Sequence, residues 1–180
     1  MITQEMAKDF ILRYPKLKEG YTLKRQLLRG GIMWTAATML VILLLWVSSI
    51  IDPQLGTAML FTLYATLLLV PVATILALML LRRGVIRAKS NSGVHKNKTT
   101  GVAGAFGALG GSLGFVVFRL FPPAENAVAA LFLPISIALV ALVFNYITTH
   151  YFYQLYLLLK HCPEFADEVD MDMLREKYKA

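Results

Sequence analysis

Long runs without charged residues alternate with short charged segments along this 180-residue chain. Between Arg29 and Asp52, 22 residues include no Asp, Glu, Lys, Arg or His, and 29 such residues separate Asp52 from Arg82. Two further runs contain 20 residues before Arg119 and 24 residues before His150. A helix needs about 20 apolar residues to cross the hydrocarbon core of a bilayer. The pattern therefore predicts four spanning helices, at 32–51, 57–81, 101–121 and 127–149.

The composition supports a membrane location. Apolar residues make up 57% of the chain, charged residues make up 16%, and the mean hydropathy is +0.61. Soluble domains contain about 25% charged residues. The apolar runs are continuous rather than alternating, so helices, not barrel strands, would satisfy the backbone hydrogen bonds in lipid. We therefore predict an all-α integral membrane protein whose four transmembrane helices form two hairpins within the domain 32–149.

Basic residues are concentrated in two segments, and this predicts the orientation of the helices. Segment 1–31 has four more cations than acids, and the loop 82–100 carries six cations and no acid. These six are Arg82, Arg83, Arg87, Lys89, Lys96 and Lys98. Because positively charged loops stay inside, both termini and this loop are predicted to face the cytoplasm at a bacterial membrane. The alternative is the inner membrane of an organelle.

The same six cations predict a partner. Basic groups beside a membrane attract anionic lipid headgroups, so we expect them to contact lipid phosphates on the cytoplasmic side. Nucleic acid is not expected as a partner, because no folded nucleic-acid-binding module accompanies these residues.

The N-terminal segment 1–31 has an amphipathic pattern. Its apolar residues recur at every fourth position, at Ile2, Met6, Phe10 and Tyr14. This spacing predicts a helix. In the following stretch, 17–29, Leu23 and Leu27 lie beside the cations Lys24, Arg25 and Arg29. Such a segment either lies at the membrane interface with its cations toward lipid phosphates, or is a solvated cytoplasmic helix.

The C-terminal segment 150–180 is predicted to be a helical extension followed by an acidic tail. Its first eleven residues are mostly apolar and continue the fourth helix, either as an interfacial anchor or as a docking helix for a partner. Beyond Pro163 the tail turns acidic. There Phe165, Val169 and Met173 keep a four-residue spacing, which predicts a short amphipathic helix. Opposite charges favour contact of this tail with the basic loop or the N-terminal segment.

The third predicted span is rich in glycine. Four glycines are spaced three, four and three residues apart, at Gly104, Gly107, Gly111 and Gly114. They therefore share one helix face, and small residues let helix backbones approach closely in lipid. We predict that this face packs against another membrane subunit or a second copy of the chain. Packing within the chain's own helix bundle and the lining of a pore are the alternatives.

The spans contain little reactive chemistry. No ionisable group lies at membrane-core depth, and the neutral Asn145 lies near the inner end of span four. Pro71 and Pro134 are predicted to kink spans two and four. The histidines lie in the basic loop or at and beyond the end of span four: His95, His150 and His161. Because metal-ligand and catalytic spacings are missing, we predict no catalytic residue, metal or cofactor.

These features favour a non-enzymatic accessory, scaffold or assembly subunit that packs with membrane partners through its third helix. The alternative is a small homo-oligomeric channel or carrier for a neutral or lipidic substrate, since kinked helices are also found in transporters. An enzyme acting on lipid headgroups would have to use the histidines with carboxylates of the tail.

Overall fold

The computed structural model describes residues 2–12, 17, 20–51, 53–90 and 127–178. Five α-helices and one short 3-10 helix contain most of these residues, and none of these residues lies in a strand. In chain order they are α1 (Gln4–Leu12), α2 (Leu23–Ile51), α3 (Pro53–Ser90), α4 (Ala127–His161), the 3-10 helix (Pro163–Phe165) and α5 (Met171–Tyr178). The described part of the chain is all-helical, as predicted.

Helices α2, α3 and α4 are long and apolar enough to cross a membrane. Their apolar stretches are Leu23–Val47, Leu60–Ile86 and Ile135–His161, and 17% of the most apolar window in each is buried. Three predicted spans, 32–51, 57–81 and 127–149, each lie within one of these helices. The predicted span 101–121 lies outside the described residues. The three helices are compatible with an integral membrane protein.

Each long helix extends beyond the predicted span. Helix α2 begins nine residues before its span, and α3 continues to Ser90, so the first part of the predicted basic loop is helical. Helix α4 continues twelve residues beyond its span, as predicted, and ends just before Pro163. A spanning helix needs apolar residues only over the part that lies in the hydrocarbon core of the bilayer. Its backbone hydrogen bonds can continue beyond that part, where charged side chains reach water.

The chain divides into two units. The first unit comprises the described residues of Met1–Met33, Ile75–His95 and Ile147–Ala180. The second unit comprises the described residues of Trp34–Thr74 and Lys96–Tyr146. Each long helix contributes one end to the first unit and its remaining part to the second, while α1 and α5 belong entirely to the first.

The first unit has one apolar core. Phe10, on the stripe predicted for α1, is buried, and Ile2 and Met6 are partly buried against the core. The core also takes side chains from both ends of the chain and from the three long helices. Its buried members are Ala7, Phe10, Ile11, Leu23, Leu27, Leu81, Val85, Leu157, Leu158, Cys162, Phe165, Ala166 and Leu174.

The acidic tail forms a helix whose face differs from the prediction. Asp170 caps α5 by accepting hydrogen bonds from the backbone N–H groups of Asp172 and Met173, at 2.9 and 3.1 Å. This cap starts a new helix and shifts its register, so Leu174 is buried and Met173 is exposed. The tail also folds back on the N-terminal segment, where the Arg175 side chain donates to the carbonyl at the end of α1, at 2.9 Å.

Most large apolar side chains that the structure describes in the second unit are exposed. Leu45 and Leu63 are buried together, with Ile42 and Ile137 packed against them. The exposed apolar residues of this unit include Met39, Leu43, Phe61, Leu68, Val72 and Leu139. An apolar surface of this extent is suited to lipid acyl chains rather than to water.

Candidate functional site

The beginning of α2 is held by the turn that follows the 3-10 helix. The first two backbone N–H groups of α2 donate to the carbonyl oxygens of Glu168 and Ala166, at 3.0 Å each. The next two, of Arg25 and Gln26, donate to the hydroxyl and the carbonyl of Thr22, at 3.3 and 2.9 Å. A helix normally leaves four such groups without a partner. Here all four have one, so this helix end is fixed in place.

Two arginines converge on Tyr21 at the exposed side of this helix end. The guanidinium carbons of Arg25 and Arg29 lie 5.4 and 5.5 Å from the centre of the Tyr21 ring. The Nη1 of Arg29 also donates a hydrogen bond to the Tyr21 hydroxyl. Because the arginines are four residues apart, they project from one helix face. Among the described residues, no carboxylate forms an ion pair with either arginine.

The six cations predicted to contact phosphates are placed only in part. Arg82 and Arg83 are exposed on α3 within the first unit. Arg87 and Lys89 lie in α3, but their side chains are outside the described part, and Lys96 and Lys98 lie outside the described residues. On α4, Lys160 donates to the Tyr156 hydroxyl at 2.7 Å.

The predicted packing glycines all lie outside the described residues: Gly104, Gly107, Gly111 and Gly114. A different pair, which the sequence analysis missed, makes a close helix contact in the first unit. A Cβ atom at Gly30 would lie 2.5 Å from Cε1 of Tyr151, and one at Gly31 would lie 3.0 Å from the Phe152 ring. Two aromatic rings of α4 thus lie directly on the backbone of α2. The available signal was a glycine pair immediately before an apolar run.

The two prolines lie inside helices and do not end them. Helix α3 continues through Pro71 and α4 through Pro134. In the second unit, the Asn145 amide donates to Thr74 Oγ1 at 3.0 Å and to the Val70 carbonyl at 3.4 Å. The Thr74 hydroxyl donates to the same carbonyl at 2.8 Å. This neutral polar group therefore joins α3 to α4 directly beside a proline.

An ion pair connects α1 to the 3-10 helix. The Lys8 Nζ lies 3.2 Å from a Glu164 carboxylate oxygen, and it also lies above the rings of Phe165 and Tyr178. A hydrogen bond from its own backbone and then the ion pair lower the pKa of the Glu164 carboxyl, while the contact with Glu164 raises the pKa of Lys8. Both charges are therefore kept near neutral pH.

The reactive side chains of the described residues are separated or buried. Cys162 is fully buried, and burial raises the pKa of its thiol to about 11. The His150 ring contacts the ring of Phe10, with centroids 6.3 Å apart. In the part of the chain that the structure describes, no three His, Cys, Asp or Glu side chains form a group that could hold a metal.

The most distinctive described side-chain groups of the first unit are therefore the Tyr21 arginine pair, the glycine–ring contacts and the Lys8 ion pair. Comparison of the chain with protein-family models, with curated proteins and with solved structures finds no match.

Proposed function

We propose that this chain is a non-enzymatic accessory or assembly subunit of a membrane complex. The observation that supports the proposal most strongly is the first unit, in which both chain ends share one core with the ends of three long helices. Hydrogen bonds from α2 to the turn after the 3-10 helix make this a fixed structure. A subunit that positions partners needs such a folded surface attached to its membrane helices.

The proposed partners are other membrane subunits, held through the glycine face of the third span. The exposed surface of the first unit is a second place for contact, because exposed Val169 and Met173 lie among acidic residues of the tail. We further propose that both termini face the cytoplasm, on the side where cations of the loop 82–100 meet anionic headgroups. Reporter fusions at each terminus and after Asp52 test this orientation, and a reporter at either terminus that is active outside the cytoplasm would contradict it.

The subunit role is tested by extraction of the tagged chain from its native membrane in a mild detergent. We expect one or more other membrane chains, or a second copy, to co-purify in a fixed ratio. The double variant Gly107→Leu/Gly111→Leu should remove that association, since added bulk prevents close backbone approach. Ala105→Leu is the control for added bulk, because it places a leucine four residues before Leu109, on the opposite side of an ideal helix.

All variants should still resist carbonate extraction, which shows that they insert into the membrane. A wild-type chain that purifies as a monomer with no associated protein would contradict the proposal. If Ala105→Leu lost association equally, the subunit role would stand, but the glycine face would not be its contact surface.

A channel or carrier for a neutral substrate is the second candidate, and the Asn145–Thr74 contact favours it. A neutral polar substrate could exchange hydrogen bonds with neutral polar side chains that lie between two apolar helices. The test is swelling of proteoliposomes in glycerol and in urea, with Asn145→Leu as the variant. Solute entry no faster than in protein-free vesicles would contradict this candidate.

A further inference from the structure

The exposed face of α2 changes from basic to apolar over about two turns. Arg25 and Arg29 are exposed, and so is Leu28 between them. Exposed Ile32 and Met33 follow on the same side of the helix. Residues three and four apart are neighbours on a helix surface, so Arg29 lies directly beside Ile32 and Met33. The 22-residue charge-free run also begins after Arg29. A phospholipid has the same order of groups, a charged phosphate followed by acyl chains.

We propose that Arg25 and Arg29 bind the phosphate of one anionic phospholipid, whose acyl chains lie along Leu28, Ile32 and Met33. This site is additional to the subunit role and to the diffuse attraction proposed for the loop 82–100. It is specific because one helix face supplies both the charge pair and the adjoining apolar surface.

The charge pair explains why an anion is needed. Two like charges four residues apart on a helix repel each other, and the Tyr21 ring offsets this only in part through its contact with both guanidinium groups. Within the described residues no carboxylate is paired with them. A phosphate diester placed between Arg25 and Arg29 would neutralise the repulsion, and the planar guanidinium fork matches phosphate oxygens.

The backbone cannot supply this anion site, so the side chains must. The four N–H groups of the first turn of α2 already donate to Thr22, Ala166 and Glu168. The same hydrogen bonds fix the helix end, and the Tyr21 hydroxyl holds the guanidinium of Arg29. The two arginines are therefore oriented before the lipid arrives, which lowers the entropic cost of binding.

A lipid fits this face better than free phosphate does. Inorganic phosphate would occupy the arginines but make no contact with Leu28, Ile32 and Met33. The acyl chains of a phospholipid would also pack against those exposed apolar side chains.

The test is native mass spectrometry of the delipidated full chain, titrated with dioleoyl phosphatidylglycerol or dioleoyl phosphatidylcholine. We expect tighter binding of phosphatidylglycerol, because phosphatidylcholine brings its own cation. Arg25→Gln/Arg29→Gln should weaken phosphatidylglycerol binding about 30-fold, because each of the two cations near an anionic headgroup contributes about 1 kcal/mol. Arg82→Gln/Arg83→Gln removes the same charge from adjacent positions that face different directions, and should weaken binding less than about threefold.

A second double variant distinguishes loss of the lipid site from loss of folding. Arg25→Lys/Arg29→Lys keeps both charges but loses the forked donors, and should weaken binding about fivefold. Millimolar inorganic phosphate should not displace the lipid. Equal weakening in the two Gln double variants would overturn the site in favour of diffuse attraction. Equal binding of the two lipids, displacement by inorganic phosphate, or unchanged binding in the Lys variant would also overturn it.

Discussion

The two units bury their apolar side chains to different extents. Among the described residues, the first unit buries 13 of them in a single core. Among the described side chains of the second unit, the buried cluster contains Leu45 and Leu63, and most large apolar side chains are exposed. The first unit also exposes apolar side chains, such as Ile75, Met79 and Leu80 on α3. Both units contain parts of the three long helices, but the first also contains α1, the 3-10 helix and α5. Seven of its 13 buried core residues lie outside the long helices, so the chain ends cover the helix ends in this unit. In water, such a core is stabilised by the hydrophobic effect, whereas helix association in lipid depends on close packing and hydrogen bonds.

The largest effect should come from removing the same group from each kind of surface. Leu157 is fully buried in the first unit, and Leu44 is 51% exposed on α2 in the second. Leu157→Ala should lower the free energy of unfolding by about 2–5 kcal/mol, because it leaves a cavity. Leu44→Ala should lower it by less than about 1 kcal/mol, because lipid or detergent refills the space. Both are measured by titration with SDS in mixed micelles, followed by circular dichroism at 222 nm. Similar losses in the two variants would contradict the distinction between the units.

The long helices could be predicted because bilayer thickness imposes a simple rule on the sequence. About 20 apolar residues must be continuous, and the runs after Arg29, Asp52 and Glu125 satisfy that requirement. The ends of the helices could not be predicted in the same way. Helix α2 begins well before its charge-free run because its first N–H groups donate to Ala166 and Glu168. Those partners are far away in sequence, so no local pattern indicates them.

The candidate site could also be predicted from the sequence only in part. The sequence indicated a cluster of cations before the first span, but not that Arg25 and Arg29 both contact Tyr21. Gly30 was overlooked because the importance of a glycine depends on what lies against it. Its partner Tyr151 is on another helix. The tail helix was predicted in place but with the wrong buried residue, since the cap at Asp170 shifted the register.

A second comparison concerns glycines within the first unit. An Ala side chain at Gly30 would meet the Tyr151 ring at 2.5 Å, whereas nothing lies within 4 Å of the same position at Gly84. Gly30→Ala should lower the free energy of unfolding by about 1–3 kcal/mol, because the ring must move. Gly84→Ala should raise it by about 0.5–1 kcal/mol, because alanine favours the helix. The same SDS titration distinguishes the signs, and a stabilising Gly30→Ala would show that the ring contact is not tight.

A third prediction uses Cys162, the single cysteine of the chain, as a probe of the first unit. Burial raises the pKa of this thiol from 9.0 to about 11. A group whose pKa is higher in the folded state stabilises fully below its unfolded pKa, and this stabilisation decreases as the pH rises from 9 to 11. The expected loss is about 1.4 kcal/mol by pH 10. The unfolding free energy is compared at pH 8 and pH 10 in the wild type and in Cys162→Ala. The variant lacks the titrating thiol, so an identical loss in both proteins would contradict the prediction.

The smallest expected effects compare buried polar groups, and here the units should respond with opposite signs. In the second unit, the Asn145 amide donates to Thr74 and to the Val70 carbonyl. In the first unit, Gln154 is 3% exposed, and its Nε2 has no hydrogen-bond partner within the described part of the chain. A buried amide without a partner is destabilising, so Gln154→Leu should raise the free energy of unfolding by about 1 kcal/mol.

Asn145→Leu should instead lower the free energy of unfolding by about 0.6 kcal/mol, the typical contribution of a hydrogen bond between helices in a membrane. SDS titration of both variants and of the double variant measures the two effects and shows whether they add. Stabilisation by both substitutions would mean that the Asn145 contacts contribute nothing to stability, which leaves substrate binding as their remaining role. Destabilisation by both would mean that Gln154 has a hydrogen-bond partner in the folded protein. Only opposite signs support the view that water-driven burial stabilises the first unit, while specific polar contacts stabilise the second.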